Sequence, residues 1–231
     1  MIDQVAAVRR IAERELRAAH EPTALALSGA AYASASARVR VPCFGSQMQA
    51  SPEGFLFPST YLFDVRTLAS NLVANQIAAF CAEWSKVDLT YAHSKNLTAY
   101  DVLTIASMVE AEAGVPGDRP KIAAVIYNRV RLKMPLGIDA TLRYGLKIPA
   151  NKSITQAELA SDNPYNTRKR LGLPPTPIDS PGLPSLHAAA QPSTLGYLYY
   201  ARIPGTKKQM FFESYAAYEK FLESHGYGPH P

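Results

Sequence analysis

The sequence carries only two cysteines, Cys43 and Cys81, and their spacing suits no metal motif. One disulfide in an oxidising compartment and two separate thiols both fit this pair. No run of 18 apolar residues occurs, so nothing in the sequence reads as a membrane-spanning helix. The histidines at 20, 93, 187, 225 and 230 are scattered, which leaves no cluster with metal-ligand spacing. There is no Gly-rich phosphate loop and no nucleophile elbow, so nucleotide chemistry and serine-hydrolase chemistry lack their signatures. No internal repeat is present, which argues against a solenoid.

What is there is a chain built to bury a core. Hydrophobic residues make up 47% and charged residues 19%, a balance that excludes disorder. The formal net charge of +5 suits an acidic partner: nucleic acid, a wall polymer or anionic lipid. It equally suits a mildly basic protein with no such partner. No Lys/Arg block is interleaved with aromatics, which argues against nucleic acid. The uncharged stretch at 22–37 has a faint signal-peptide look, but Ala and Ser dominate it and a charge-rich segment precedes it.

The periodicity predicts helices at 3–19, with Asp3 as N-cap, and at 66–86. Residues 20–52 read as an irregular connection, and EGFLFPSTYLFD at 53–64 as an aromatic patch in extended or turn structure. A box-like cap, Thr98 with Asp101, opens a helix that runs to about Ala113 before Gly114. Pro120 lies in the first turn of the next helix, which Pro135 closes, giving a helical hairpin over 98–134. Residues 138–150 read as irregular, 155–161 as a short helix capped by Thr155 and Glu158, and 186–190 as another short helix. TLGYLYYARI and KQMFFESY flank PGTK as a hairpin within 195–213, followed by a helix at 214–224. The expected fold class is α+β, with the helical hairpin packed near a small antiparallel sheet.

One stretch breaks local rules. TIASMVEAEAG (104–114) places Glu110 and Glu112 at the end of an apolar helix. A carboxylate there faces the negative end of the helix dipole, and burial opposes its charge. Such conflicts often mark functional sites. At 100° per residue Glu110 falls with Ala99, Leu103, Ala106 and Ser107, and Glu112 with Asp101, Ile105 and Met108. The two glutamates therefore point nearly opposite ways and form no carboxylate pair. Glu110, on the small-residue side, is the candidate general acid, and apolar neighbours would raise its pKa. The alternative is a structural glutamate paired to a buried arginine. Glu112 reads as exposed or paired, with Arg119 as a partner. NPYNTRKRLGLPPTPIDSPG (163–182) offers amides, a hydroxyl and the Tyr165 ring for sugar recognition, or is a surface loop held by its own prolines.

Five segments together resemble one family, the endolytic murein transglycosylases (MltG or YceG-like): EGFLFPSTY, ASMVEAEAG, AAVIYNRVRLKMPLGIDATLRYGL, NPYNTRKRLGLPPTPIDSPG and SLHAAAQP. They occur in the family's order and cover about residues 53–220. The resemblance implies lytic cleavage between N-acetylmuramic acid and N-acetylglucosamine, leaving 1,6-anhydro ends, with no cofactor or metal. The glutamate of the family's V-E-x-E motif, its catalytic acid and then base, falls on Glu110. The family motifs also suggest Glu53, Asn128, Asp139, Thr141, Tyr165, Asn166 and Thr167 as substrate-binding residues. Peptidoglycan glycan strands are the implied partner, with glycan-polymerising synthases beside them, at the extracytoplasmic face of the bacterial plasma membrane. Full-length members carry a membrane anchor and a LysM-like module, so residues 1–50 read as a remnant of that module and 51–231 as the catalytic domain. Where the family tends to have a polar residue after V-E-x-E, this chain has Ala113. Three rival readings are a muramidase-type hydrolase, a wall-binding module without turnover, and a pyridoxal-phosphate lyase. The last would need a Schiff-base lysine and a phosphate cup, for which no lysine has the context.

Overall fold

A computed structural model describes residues 28–37, 39–44, 51–62 and 66–227. The helix expected at 3–19 lies outside these residues. The chain divides into two units after Ser85, whereas the sequence reading divides it after residue 50. The aromatic stretch and the helix that follows it thus belong to the first unit.

In the first unit, α1 (Gly29–Ser36) packs on α2 (Ala69–Trp84). The sequence reading left 29–36 irregular, but Ala favours helix and Ser28 caps it by accepting from the Ala31 N–H at 3.1 Å. Buried Tyr32 donates from its hydroxyl to Gln76 Oε1 at 2.7 Å, joining the two helices. Phe44, Phe55, Phe80 and Trp84 form one aromatic cluster, with Phe55 packed edge-on against Phe44 at 4.9 Å and against Phe80 at 5.2 Å. The EGFLF segment therefore supplies core. Beside this cluster Cys43 and Cys81 form a disulfide, which decides between the two readings of the cysteine pair.

The second unit is built around α4. It contains α3 (Thr90–Ser94), α4 (Ala99–Glu112), a 3-10 turn (Pro116–Asp118), α5 (Arg119–Arg131), α6 (Asp139–Leu146), α7 (Gln156–Leu159) and α8 (Leu183–Ala190). Strands β1 (Tyr199–Arg202) and β2 (Gln209–Phe212) pair antiparallel, with Tyr199 opposite Phe212 and Arg202 opposite Gln209, before α9 (Tyr215–Ser224). The Thr98–Asp101 box is formed in both directions, at 3.1 and 2.8 Å. Val102 to Val109 are all buried, because α5, α6 and α8 all pack on this helix. Its buried hydroxyls bond main chain: Thr104 donates to Tyr100 O and Ser107 to Thr104 O. Gly114 is not the left-handed cap a helix-ending glycine suggests. It lies against the Lys207 carbonyl, where a Cβ would collide.

The α4–α5 hairpin and the β1–β2 hairpin both appear where the sequence places them. The α+β expectation holds. Residues 139–146, expected to be irregular, are helical instead. Gly145 weakens that stretch as an isolated helix. Its bare Cα is needed because a side chain there would meet Asn163 and Tyr165.

The disulfide closes a loop with a sequence separation of 38. Its reduction should cost the first unit about 2–4 kcal/mol. Amide hydrogen exchange at Phe80 should accelerate on adding dithiothreitol, while Ala106 keeps its protection. Equal acceleration at both would show that the disulfide acts on the whole chain.

Candidate active site

Glu110 sits in the last turn of α4, and the N-terminus of α8 is brought to it. Gly182 is the N-cap of α8 and Pro184 stands in its first turn, a start that needs no hydrogen bond from the proline. The Gly182 N–H donates to Glu110 Oε2 at 3.3 Å and the Ser185 hydroxyl to the same oxygen at 2.6 Å. Arg119 donates through Nε to Ser185 Oγ at 2.9 Å, while its Nη2 lies 3.5 Å from Glu110 Oε1. One carboxylate oxygen is thus held by two donors and the other has a single long contact. The Glu110 side chain is 27% exposed.

The conflict in the sequence is resolved by this arrangement. The negative end of α4 opposes a carboxylate, but the positive end of α8 favours one at the same place. The surroundings of Glu110 are hydrogen-bond donors and not the apolar wall that sequence reasoning expected. Arg119, expected beside Glu112, instead serves Glu110 and Ser185.

Asp179 lies within electrostatic reach of Glu110. The Ser107 hydroxyl accepts the Ile178 N–H at 3.0 Å and so fixes the proline-rich segment over α4. Burial pushes the Asp179 carboxyl above the ordinary aspartate range, and the charge of Glu110 pushes the same way. Sequence reasoning assigned Arg119 to Glu112 and passed over Asp179 and Ser185. Their one visible signal is that TPIDSPGLPS sets polar residues among prolines next to a helix start.

Glu112 is half-buried, not exposed, and faces a different set of groups. It accepts from the Tyr200 hydroxyl at 3.2 Å. Burial raises its pKa first; the Tyr200 bond opposes that, Asp139 adds to it, and Arg202 and the Ala140 N–H oppose it. The opposite projections of the two glutamates are therefore borne out.

The other sequence candidates divide into two groups. Asp139 pairs with Arg168 at 2.7 Å and is accessible to solvent. Tyr165 exchanges a hydrogen bond with Thr176 at 2.8 Å and packs its ring on Tyr144. Asn128 donates to the Leu195 and Tyr197 carbonyls, both at 3.0 Å, tying α5 to the approach to β1. Asn166, Thr141 and Thr167 are buried and have internal tasks. Thr141 and Thr167 share a hydrogen bond at 2.9 Å, and Thr167 accepts the Ile138 N–H. Asn166 donates to the Leu159 and Ser161 carbonyls and accepts the Arg168 N–H, which shapes the loop in place of offering its amide to a ligand. Glu53 belongs to the first unit.

Residues 2–224 match the YceG-like family. The chain belongs to that family. This YceG-like chain is 33% identical over 157 residues to the endolytic murein transglycosylase of Bacillus subtilis (strain 168), covering 68% of this chain and 43% of that protein. It is 37% identical over 152 residues to the endolytic murein transglycosylase of Streptococcus pneumoniae serotype 2, covering 64% of this chain and 27% of that one. Its fold is similar to the crystal structure of a YceG-like protein from Listeria monocytogenes, with a TM-score of 0.72 at 28% identity, over 92% of this chain and 72% of that one. The chain spans less than half the length of the curated relatives it matches.

Two predictions concern the YceG-like unit itself. Asn166→Ala strands two carbonyls and an N–H in a buried loop, so it should lower stability by about 2–4 kcal/mol. A denaturation curve matching wild type would return Asn166 to the role of ligand contact. For Glu112, below the ordinary glutamate value of 4.5 both folded and unfolded chains carry the proton. As pH rises the unfolded chain ionises first, so stability falls until the folded carboxyl ionises too. Glu112→Gln should abolish that fall. Melting temperatures of both proteins against pH should diverge above 4.5 in favour of the variant. A constant offset at every pH would contradict it.

Proposed function

We propose that this YceG-like chain is an endolytic lytic transglycosylase that cleaves peptidoglycan glycan strands with Glu110 as both acid and base. The observation that carries this reading is the asymmetry of the Glu110 carboxyl. Ser185 and Gly182 fix Oε2, so the group has one orientation, while Oε1 is left for proton transfer. The family's named relatives support the substrate class.

In the reaction, the Glu110 carboxyl gives its proton to the glycosidic oxygen between N-acetylmuramic acid and N-acetylglucosamine. The bond to C1 of the muramoyl sugar breaks and the N-acetylglucosamine leaves with a new hydroxyl. The Glu110 carboxylate, now stabilised by the Ser185 hydroxyl and the Arg119 guanidinium, takes the proton of the muramoyl C6 hydroxyl. The C6 oxygen closes on C1 to form the 1,6-anhydro ring, and Glu110 is protonated again. No water is consumed. One carboxyl suffices in both roles, which agrees with Glu112 being turned toward Tyr200. A wall-binding module without turnover would suit a Glu110 buried without access, whereas 27% of its side chain is open.

A second reading is a muramidase, and Asp179 is the observation that favours it. A second carboxyl within electrostatic reach of the first could activate a water in place of the C6 hydroxyl. The location proposed for the chain is extracytoplasmic. The Cys43–Cys81 disulfide supports an oxidising compartment. Among the described residues no helix is long and apolar enough to cross a membrane. Glycan-polymerising synthases are the protein partners that this role implies.

Glu110→Gln should lower glycan cleavage by about 10²–10⁴-fold, the usual contribution of a general acid, while melting temperature and glycan binding stay near wild type. Cleavage at the wild-type rate would remove Glu110 from the chemistry.

A further inference from the structure

We propose that the pocket between Arg129 and Arg168 is a subsite for the carboxylate-bearing substituent of the muramoyl sugar. This rests on the peptidoglycan-cleaving reading above. The pocket, about 480 Å³, is walled by Met134, Leu159 and Tyr199 and carries the Gln156 amide.

Arg129 is the unusual member. It donates through Nε to the Leu198 carbonyl at 2.7 Å, and through Nη1 to the Pro135 and Leu136 carbonyls at 3.1 and 2.8 Å. Its guanidinium also lies 5.1 Å from the Tyr199 ring centre. All these partners are neutral. Among the described residues no carboxylate pairs with it. Its Nη2 donates to no protein group there. Burial and the neighbouring Arg168 both oppose its charge. Arg129 is half-buried, and a largely desolvated cation without an ionic partner that faces a pocket suits an anion from outside.

Arg168 differs. It donates through Nε and Nη2 to Asp139 Oδ1, at 3.1 and 2.7 Å, so its charge is balanced while its Nη1 has no protein acceptor among the described residues. The pocket thus holds one unbalanced positive charge and two unused guanidinium nitrogens. That matches a single carboxylate held between two forks. Met134 and Leu159 suit short alkyl groups and Gln156 suits an amide.

The pocket also borders the surroundings of Glu112. Glu112 is bonded by Tyr200 and faced by Ala140. Of their neighbours in sequence, Tyr199 lines the pocket and Asp139 pairs with Arg168, which also lines it. The pocket therefore adjoins the groups that hold Glu112, two residues along the chain from Glu110. The sugar rings of the glycan are uncharged. Its carboxylates stand on the 3-O substituent of the muramoyl sugar, either as the free lactyl group or at the end of an attached peptide.

The test is calorimetric binding to the full chain carrying Glu110→Gln, so that no ligand is consumed. Three probes are used: a GlcNAc–MurNAc disaccharide with its peptide, the same disaccharide with a free lactyl carboxylate, and chitobiose, which has none. At least one carboxylate probe should bind about tenfold or more tighter than chitobiose, as expected for a charge-assisted pair. Whichever of the two binds tighter identifies the source of the carboxylate. Ala160→Glu, at an exposed position on the pocket wall, places a competing carboxylate without touching the core and should erase the preference. Arg129→Lys, which keeps the charge and loses the fork, should weaken it. Equal affinity for all three probes, or a preference that survives Ala160→Glu, overturns the proposal. Binding as expected in a chain whose Glu110 form cuts no glycan would refute the lytic reading and leave the subsite. Cleavage with no preference among the probes would do the reverse.

Discussion

The seating of Glu110 Oε2 on the N-terminus of α8, through hydrogen bonds that a glutamine oxygen could also accept, is the contact around which the candidate site is arranged. An apolar helix that ends in a carboxylate is unfavourable alone, because both desolvation and the helix dipole oppose the charge. The Ser185 hydroxyl and the Gly182 N–H change that balance, at 2.6 and 3.3 Å on one oxygen. To bring them there, the chain must carry α8 across α4. The proline-rich segment leads into α8, and Ser107 holds it through the Ile178 N–H. Arg119, on the next helix, then closes the cluster by bonding Ser185.

The last turn of α4 separates two carboxyls by direction. Glu110 turns toward α8 and is solvated in part; Glu112 turns toward Tyr200 and the start of α6, where burial favours its protonated form. The difference follows from helical geometry: two residues along the chain are about 200° apart around the helix axis. One carboxyl can be offered to a ligand while the other joins the β1 strand to α6. In the proposed reaction this division leaves one group to carry the proton in both directions.

Much of this was legible in the sequence where the cause is local. The Thr98–Asp101 and Thr155–Glu158 boxes, the α4–α5 hairpin, the β hairpin around Gly205 and the divergence of the two glutamates each follow from neighbours within a few residues. The misses have long-range causes. Helix α6 contains Gly145 because Asn163 and Tyr165 take the space a side chain would need there. Asn166 and Thr167 carry polar side chains that look available in a loop, but the loop folds over them. Ser185 meets Glu110 across 75 residues and Arg119 across 66, so no spacing rule could pair them. The sequence suggested apolar neighbours for Glu110, and those same distant residues surround it with donors instead.

The central claim is that the Glu110 carboxyl delivers a proton to the glycosidic oxygen and recovers one from the substrate's own C6 hydroxyl. Digestion of purified glycan strands in H₂¹⁸O, read by mass spectrometry, tests it most directly. The account predicts muramoyl ends one water lighter than a reducing end and free of ¹⁸O. Ends that carry ¹⁸O at C1 would contradict it, and would make Asp179 the group that activates water.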